Sequence, residues 1–203
     1  MRTFLALLLA LTAIPLWAGS GNFYAYSVHE RSNVRLSGST NINTFECISQ
    51  NDIPRGLMIA DLLPGSNAIF FSQAALELEV ASFDCGHRAM NKDFHNSLGG
   101  MESPYIQIIL LEVRPLTSSE RQNQGKIRAE VAIMINGKTR NTDIVVEYNT
   151  LDFFSYKLSG SKELRMSEFG IDPPSPALGL VKVNDRVTIH FDLVVETSLI
   201  TQN

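Results

Sequence analysis

The sequence predicts an all-β fold in which an extended antiparallel sheet closes into a barrel beside one short helix. Apolar and polar residues alternate in eight or more segments, as in strands with one buried face. Turn residues separate these segments at short spacing, and only one stretch has helical spacing. Closing the sheet would remove its edges, and about eight strands can enclose one small ligand. A β-sandwich is the alternative, because alternation does not show whether the sheet closes.

The N-terminal residues predict a secretory signal peptide over residues 1–18. Arg2 supplies a positive charge, residues 4–14 form an apolar run too short to span a bilayer, and Ala18 is a small residue at the expected cleavage point. A buried N-terminal helix is the alternative interpretation. We expect residues 19–203 to form one domain that is secreted or periplasmic, without a transmembrane segment.

Charge and cysteine content narrow the class of protein further. The formal net charge is −4 and no run of basic residues occurs, which argues against a nucleic-acid partner. A homodimer remains possible. The two cysteines, Cys47 and Cys85, predict one disulfide in an oxidising compartment, with two buried thiols as the alternative.

The strand predictions follow the alternating segments along the chain. Residues 51–67 are predicted to be a long connection with a short strand at 56–60, and residues 172–176 a rigid proline-rich loop. Asn136-Gly137 predicts a tight hairpin turn, because both positions tolerate a positive φ. The predicted strands are residues 23–28, 33–40, 43–49, 75–82, 105–110, 126–135, 138–147, 153–161, 162–166 and 186–196.

One stretch predicts a helical lid between two strands, beside the mouth of the barrel. Met90, Phe94 and Leu98 lie four residues apart, which is helical spacing. Gly99 then suits the left-handed conformation that ends a helix. The stretch begins with the strand that ends at Ser82, and Cys85 lies in the turn before the helix.

Short motifs along the chain resemble, in their order, those of the YceI-like family. They are Gly38-Ser-Thr-Asn41 with Phe45, Arg88-Ala-Met-Asn-Lys-Asp-Phe94, Ser103-Pro-Tyr-Ile106, Ile135-Asn-Gly-Lys-Thr-Arg140, Phe169-Gly-Ile171 and Asn184-Asp-Arg-Val-Thr-Ile189. The resemblance implies an exported lipocalin-like barrel with an apolar interior that takes a polyisoprenoid or other long lipid chain.

The inward-facing apolar residues are the candidates for the walls of that interior. Removal of an apolar chain from water contributes roughly 25 cal/mol per Å², and a few polar groups at the mouth would give specificity. The candidate mouth residues are Arg88, Lys92 and Phe94. The candidate lining residues are Leu76, Leu78, Val80, Ile106, Ile108, Val131, Ile133, Ile144, Val146, Ile189 and Phe191. These residues could instead fill a solid core.

No set of residues in the sequence predicts catalysis, a metal site or a cofactor. His87, Asp93 and His95 do not have the spacing of compact zinc sites. Ser159 and Lys162 match a serine–lysine motif in spelling but lie between strands, where that motif does not occur. The sequence therefore favours an exported protein that binds or carries a lipid without chemical turnover. A structural or adhesive module with a solid core, or an isoprenoid-modifying enzyme, is the alternative.

Overall fold

The computed structural model describes residues 22–50, 55–99, 103–116 and 123–200. Within these residues the chain forms twelve strands and one α-helix. The strands are β1 (Asn22–Val28), β2 (Asn33–Thr40), β3 (Thr44–Ser49), β4 (Gly56–Leu62), β5 (Ile69–Ser72), β6 (Ala75–Glu79), β7 (Phe83–Asp84), β8 (Tyr105–Pro115), β9 (Gln124–Ile135), β10 (Lys138–Thr150), β11 (Ser155–Arg165) and β12 (Val183–Leu199), and the helix is α1 (Arg88–Ser97). The proposed signal peptide, residues 1–18, lies outside the described residues.

Eight of these strands form a closed ring of antiparallel pairs. The order is β1-β4-β5-β8-β9-β10-β11-β12, and pairing of β1 with β12 completes the ring. The ring is not a regular barrel. One reason is that β10 pairs with β11 only from Val146 to Thr150, which leaves the first part of β10 outside this pairing. The predicted all-β fold with one short helix is confirmed, with this irregular ring in place of a regular barrel.

Two long strands each pair with more than one neighbour along one edge. β12 pairs with β2 through residues 183–192 and with β1 through residues 195–199. β8 likewise pairs with β6 near its start and with β5 near its end. The β2–β3–β7 extension and β6 therefore surround one end of the ring, where α1 also lies. We call this the lid end.

Several strand boundaries differ from those predicted by the sequence pattern. The short strand expected at residues 56–60 is present as β4 and extends to Leu62, whereas β5 was not predicted; both belong to the ring. The segments 153–161 and 162–166, predicted as two strands, form the single strand β11. β4 lacks strict alternation because its place is set by backbone pairing with β1 and β5 rather than by one buried face.

The hydrophobic core runs through the ring to the lid end. Its largest fully buried side chains include Phe83, Ile106, Ile133 and Phe169. Cys47 is completely buried and forms a disulfide with Cys85. Among the described residues, no helix is long and apolar enough to cross a membrane.

Candidate ligand-binding cavity

A cavity of about 320 Å³ opens at the lid end. Its walls come from α1, from the strands β2, β3, β8, β9, β11 and β12, from the β2–β3 turn, and from the segment between β11 and β12. Most of its side chains are apolar. They are Leu36, Ile42, Phe45, Cys47, Ala89, Met90, Phe94, Leu98, Ile106, Ile135, Leu164, Met166, Phe169, Ile171, Pro174, Pro176, Val181, Val183, Val187 and Ile189.

One face of α1 covers the cavity. Met90, Phe94 and Leu98 lie on this face because they are four residues apart, about one turn of helix. The helix begins at a cap in which His87 Nδ1 accepts a hydrogen bond from the Ala89 N–H (3.2 Å). The Phe94 ring also packs on the buried Phe83 ring, with centroids 5.4 Å apart. These contacts hold the helix over the opening.

The turn before α1 is fixed by side chains and by the disulfide. Cys47, on β3, lines the cavity and is bonded to Cys85 in this turn. Asn91 Oδ1 accepts a hydrogen bond from the Cys85 N–H (2.7 Å), and Asn91 Nδ2 donates to Asp84 Oδ1 (3.0 Å). The Asp84 carboxylate accepts hydrogen bonds from Asn91 Nδ2 and from the Gly86 N–H, and these two bonds lower the pKa of Asp84. The start of the lid is thus tied to β3.

A second wall follows directly after β11. Met166, Phe169 and Ile171 point into the cavity from a short 3₁₀ turn and the residues after it. Asp185 holds this turn, because its carboxylate accepts hydrogen bonds from the N–H (2.8 Å) and the hydroxyl (2.7 Å) of Ser167. The same two bonds lower the pKa of Asp185.

A third wall joins the β2–β3 turn to the segment before β12. Asn41 Nδ2 donates to the Leu180 carbonyl (3.1 Å), and Asn41 Oδ1 accepts from the Lys182 N–H (2.8 Å). Beside this contact the Phe45 ring lies so close to Gly38 that a Cβ there would overlap it. Glycine at position 38 therefore allows the ring to lie against β2 and form part of the wall.

A few polar side chains interrupt the apolar walls. Asp93 from α1 and Arg165 from the end of β11 carry the charges. The uncharged polar residues are Thr40, Asn43 and Ser97, and His87 lies at the helix start. A largely apolar cavity with a few polar groups is typical of sites that bind small molecules.

A family model for the YceI-like domain matches residues 58–195. The chain belongs to the YceI-like family. Solved structures with a similar fold include BcnA from Burkholderia cenocepacia, with a TM-score of 0.62 and 18% identity over 83% of this chain and 99% of that one. A polyisoprenoid binding domain from Saccharophagus degradans has a TM-score of 0.62 and 10% identity over 86% and 98% of the two chains. At these identities the likeness shows the fold. No curated protein matches the chain.

Only some of the residues that the sequence proposed as the YceI-like ligand site line the cavity. Ile106, Ile189 and Phe94 lie in the cavity wall. Six others are buried in the core outside the wall: Leu78, Val80, Val131, Ile133, Ile144 and Val146. Leu76, Ile108 and Phe191 are half-buried against the same core, and Arg88 and Lys92 are exposed outside the wall. Alternation identifies the inward face of the ring, most of which packs solidly.

Most of the cavity residues were missed, and many of them lie outside regular strands. Met90 and Leu98 have a visible signal, since their helical spacing with Phe94 places all three on one face. Pro174 and Pro176 belong to a stretch that the sequence presented only as a rigid loop. Apolar residues on both sides of these prolines, such as Ile171 and Val181, are the signal that could have located this wall.

Proposed function

We propose that this YceI-like protein binds a long-chain lipid of the isoprenoid class and carries it outside the cytoplasm without changing it chemically. The observation that carries the proposal is the cavity of about 320 Å³ with predominantly apolar walls beneath α1. The neighbour from Saccharophagus degradans supports the ligand class, since it is described as a polyisoprenoid binding domain. The Cys47–Cys85 disulfide supports export, because such bonds persist in oxidising compartments.

The size of the cavity bears on which part of the ligand it takes. A volume of about 320 Å³ is at the lower end of the range for ligand pockets, roughly 300–1,000 Å³. One end of a long chain therefore fits better than a whole polyisoprenoid. Each CH₂ group that leaves water contributes roughly 0.8 kcal/mol. Affinity should therefore rise with chain length until the cavity is full and then level off.

The other two functional classes have less support from the residues around the cavity. A structural module with a solid core does not need an opening at the lid end. An enzyme needs convergent reactive groups, and the charged side chains of the wall, Asp93 and Arg165, form no ion pair with each other among the described residues. In the part of the chain that is described, no group of three or more His, Cys, Asp or Glu residues could hold a metal ion.

A cavity-blocking substitution tests the proposal. Ala89 is exposed at the mouth and contributes to the wall, so Ala89→Trp should fill the opening without disturbing the buried core. Asn96→Trp adds the same side chain at an exposed position of α1 outside the wall and is the matched control. In titrations with prenols of increasing length, we expect Ala89→Trp to bind at least about tenfold more weakly than the unsubstituted protein. Asn96→Trp should bind as the unsubstituted protein does.

Native mass spectrometry of residues 19–203, followed by organic extraction, gives the independent measurement. We expect a lipid to co-purify in stoichiometric amount. The mass of this lipid should stay the same when it is incubated with the protein. An apo mass together with no prenol binding would contradict the lipid-binding proposal, and a changed ligand mass would favour the enzyme. Recovery of the protein only in the cytoplasmic fraction would contradict the export proposal.

A further inference from the structure

We propose that Asp93 selects the headgroup of the ligand. Its carboxylate accepts a hydrogen bond from the hydroxyl of a free prenol, and it discriminates against the phosphorylated form of the same chain. The inference rests on the proposed function, since it names the headgroup of the lipid that the cavity takes. The apolar walls bind the hydrocarbon chain through non-directional contacts, so the distinction between headgroups depends on the few polar side chains among them.

Asp93 lies where the apolar face of the lid meets solvent. Ala89, Asp93 and Ser97 are four residues apart, so they form a row on α1 beside the row that contains Met90 and Phe94. All five residues line the cavity, and Asp93 is half-buried whereas Ala89 is exposed. A ligand whose chain packs against Met90 and Phe94 therefore places a terminal polar group beside Asp93.

The Asp93 carboxylate is an acceptor that the protein itself does not use. Among the described residues it has no hydrogen-bond or ion-pair partner. By contrast, the Thr40 hydroxyl donates to Asn43 Oδ1 (2.7 Å), and the Ser97 hydroxyl donates to the backbone carbonyl of Asp93 (2.8 Å). When a ligand covers the mouth, the carboxylate loses water, and this cost is offset only if the ligand supplies a donor.

The formal charges of the wall do not make a phosphate site. They are carried by Asp93 and Arg165, which do not pair with each other. The two hydrogen bonds from Ser167 are the main cause of the lowered pKa of Asp185, and the charge of Arg165 adds to this effect. Part of the attraction that Arg165 exerts is thus directed at a carboxylate of the protein. Phosphate groups are bound best by charge-assisted hydrogen bonds, which a single guanidinium accompanied by a carboxylate supplies poorly.

The charges beside the wall give no excess of cations either. The exposed cations there are accompanied by as many carboxylates. The cations are Arg88, Lys92, Lys138 and Lys182, and the carboxylates are Asp84, Glu168, Asp172 and Asp185. A diphosphate therefore gains little attraction at the mouth and is repelled by Asp93.

An uncharged hydroxyl matches this arrangement better than an ion of either sign. It donates one hydrogen bond, which Asp93 accepts, and its oxygen is free to accept another. An ammonium headgroup would also donate to Asp93, but Arg165 in the same wall would repel it. The combination of one free carboxylate and one guanidinium thus favours a free alcohol.

Two substitutions of Asp93 separate its charge from its role as an acceptor. Asp93→Asn removes the charge at nearly constant size, and Asp93→Ala removes the acceptor as well. Glu168→Gln is the matched control, because Glu168 is exposed in the short 3₁₀ turn after β11, outside the cavity wall. An effect of net charge at this end of the molecule would appear in Glu168→Gln too.

The experiment is titration of residues 19–203 with farnesol, farnesyl methyl ether and farnesyl diphosphate. These probes share one chain, but only farnesol combines a donor with the absence of charge. We expect the unsubstituted protein and Glu168→Gln to bind farnesol at least about tenfold more tightly than the diphosphate and at least about fivefold more tightly than the ether. High salt should narrow the first ratio.

The variants of Asp93 should change these ratios without loss of the fold. Asp93→Asn should narrow the ratio of farnesol to diphosphate affinity by at least about fivefold, because the repulsion is gone. Asp93→Ala should bind farnesol and the ether about equally, since neither then finds a carboxylate. Thermal unfolding should be nearly unchanged, because the Asp93 side chain makes no bond within the described part of the protein.

Three results would overturn the selection of an alcohol by Asp93. One is binding of the diphosphate as tightly as farnesol by the unsubstituted protein. Another is equal affinity of that protein for farnesol and its methyl ether. The third is an affinity ratio that changes to the same extent in Asp93→Asn and Glu168→Gln. All three leave the proposed function intact, because the chain still binds. Binding of none of the probes would contradict the proposed function and this inference together.

Discussion

At the scale of single residues, a few polar side chains hold together the segments that surround the cavity. Asn41 joins the β2–β3 turn to the segment before β12, and Asn91 fixes the turn before α1. Asp185 holds the 3₁₀ turn after β11 through Ser167. Each of these side chains bonds to backbone groups of another segment, so one substitution loosens one wall.

Asp185→Asn should lower stability in a pH-dependent way. The hydrogen bonds from Ser167 lower the pKa of Asp185 in the folded protein, so its contribution is complete above the ordinary carboxyl pKa of about 3.9 and disappears as the pH falls through the folded value. The carboxylate is partly exposed, so we expect a loss of about 1 kcal/mol or less at neutral pH. Urea unfolding near pH 7 and near pH 3 measures this difference.

Ser167→Ala provides the control for this prediction. It removes the hydroxyl donor but leaves the backbone N–H that also bonds to Asp185. The loss in free energy of unfolding should therefore be smaller than for Asp185→Asn. The double variant should lose less free energy of unfolding than the sum of the two single variants. Equal destabilisation by Asp185→Asn at both pH values would contradict a role for the charged carboxylate.

At the scale of elements, the lid depends on its attachments. A helix of ten residues is marginal on its own, so α1 needs tertiary contacts to persist. Those contacts are the face that covers the cavity, the packing of Phe94 on Phe83, and the disulfide just before the helix. Because Cys47 is itself part of the wall, the disulfide joins the lid directly to the cavity.

Removal of the disulfide should weaken both the fold and the hold on a ligand. The bond closes a loop with a sequence separation of 38, for which chain entropy predicts roughly 3–4 kcal/mol. We expect the Cys47→Ala/Cys85→Ala variant to lose about this amount in chemical unfolding and to release a bound prenol faster. Fluorescence-detected dissociation measures the release.

The unsubstituted protein under reducing conditions is the control for the disulfide variant. It should show the same faster release, since the reduced thiols no longer hold the lid to β3. A release rate that stays constant while stability falls would mean that the bond stabilises the fold without restraining the lid.

At the scale of the whole molecule, much of the interior of the ring is packed solid in the described residues, and the apolar cavity opens at the lid end. Ile106 and Ile133 illustrate the division, because both are almost completely buried but only Ile106 lies in the cavity wall. They lie on the neighbouring strands β8 and β9, where the cross-strand partner of Ile133 is Ile108, two residues from Ile106. One pair of substitutions can therefore separate stability from ligand binding.

Ile106→Val and Ile133→Val should destabilise the protein to a similar extent, by about 0.5–1.5 kcal/mol each. Only Ile106→Val should change prenol affinity, because only this side chain lines the cavity. Thermal unfolding and prenol titration of the two variants measure both effects. An equal change in affinity for Ile133→Val would mean that the ligand reaches farther into the ring than the cavity does.

The sequence pattern predicted the inward face of the sheet better than it predicted the cavity. Ile106, Ile189 and Phe94 were proposed for the site and lie in the wall, whereas Val131 and Ile144 face inward into solid core. A period of two reports which side of a strand is buried, but not what faces it across the ring. The walls formed by loops have no such period, and their residues were not assigned.

The sequence by itself determined the all-β class, the single helix with Met90, Phe94 and Leu98 on one face, the hairpin turn at Asn136-Gly137 and the cysteine pair. These features depend on local spacing and on residue chemistry, which a sequence displays directly. Only the tertiary structure decided how the ring closes through β1 and β12, that β4 and β5 complete it, and that the cavity lies at the lid end. Those outcomes depend on contacts between residues far apart in the chain, where backbone pairing and packing volume, rather than local pattern, set the result.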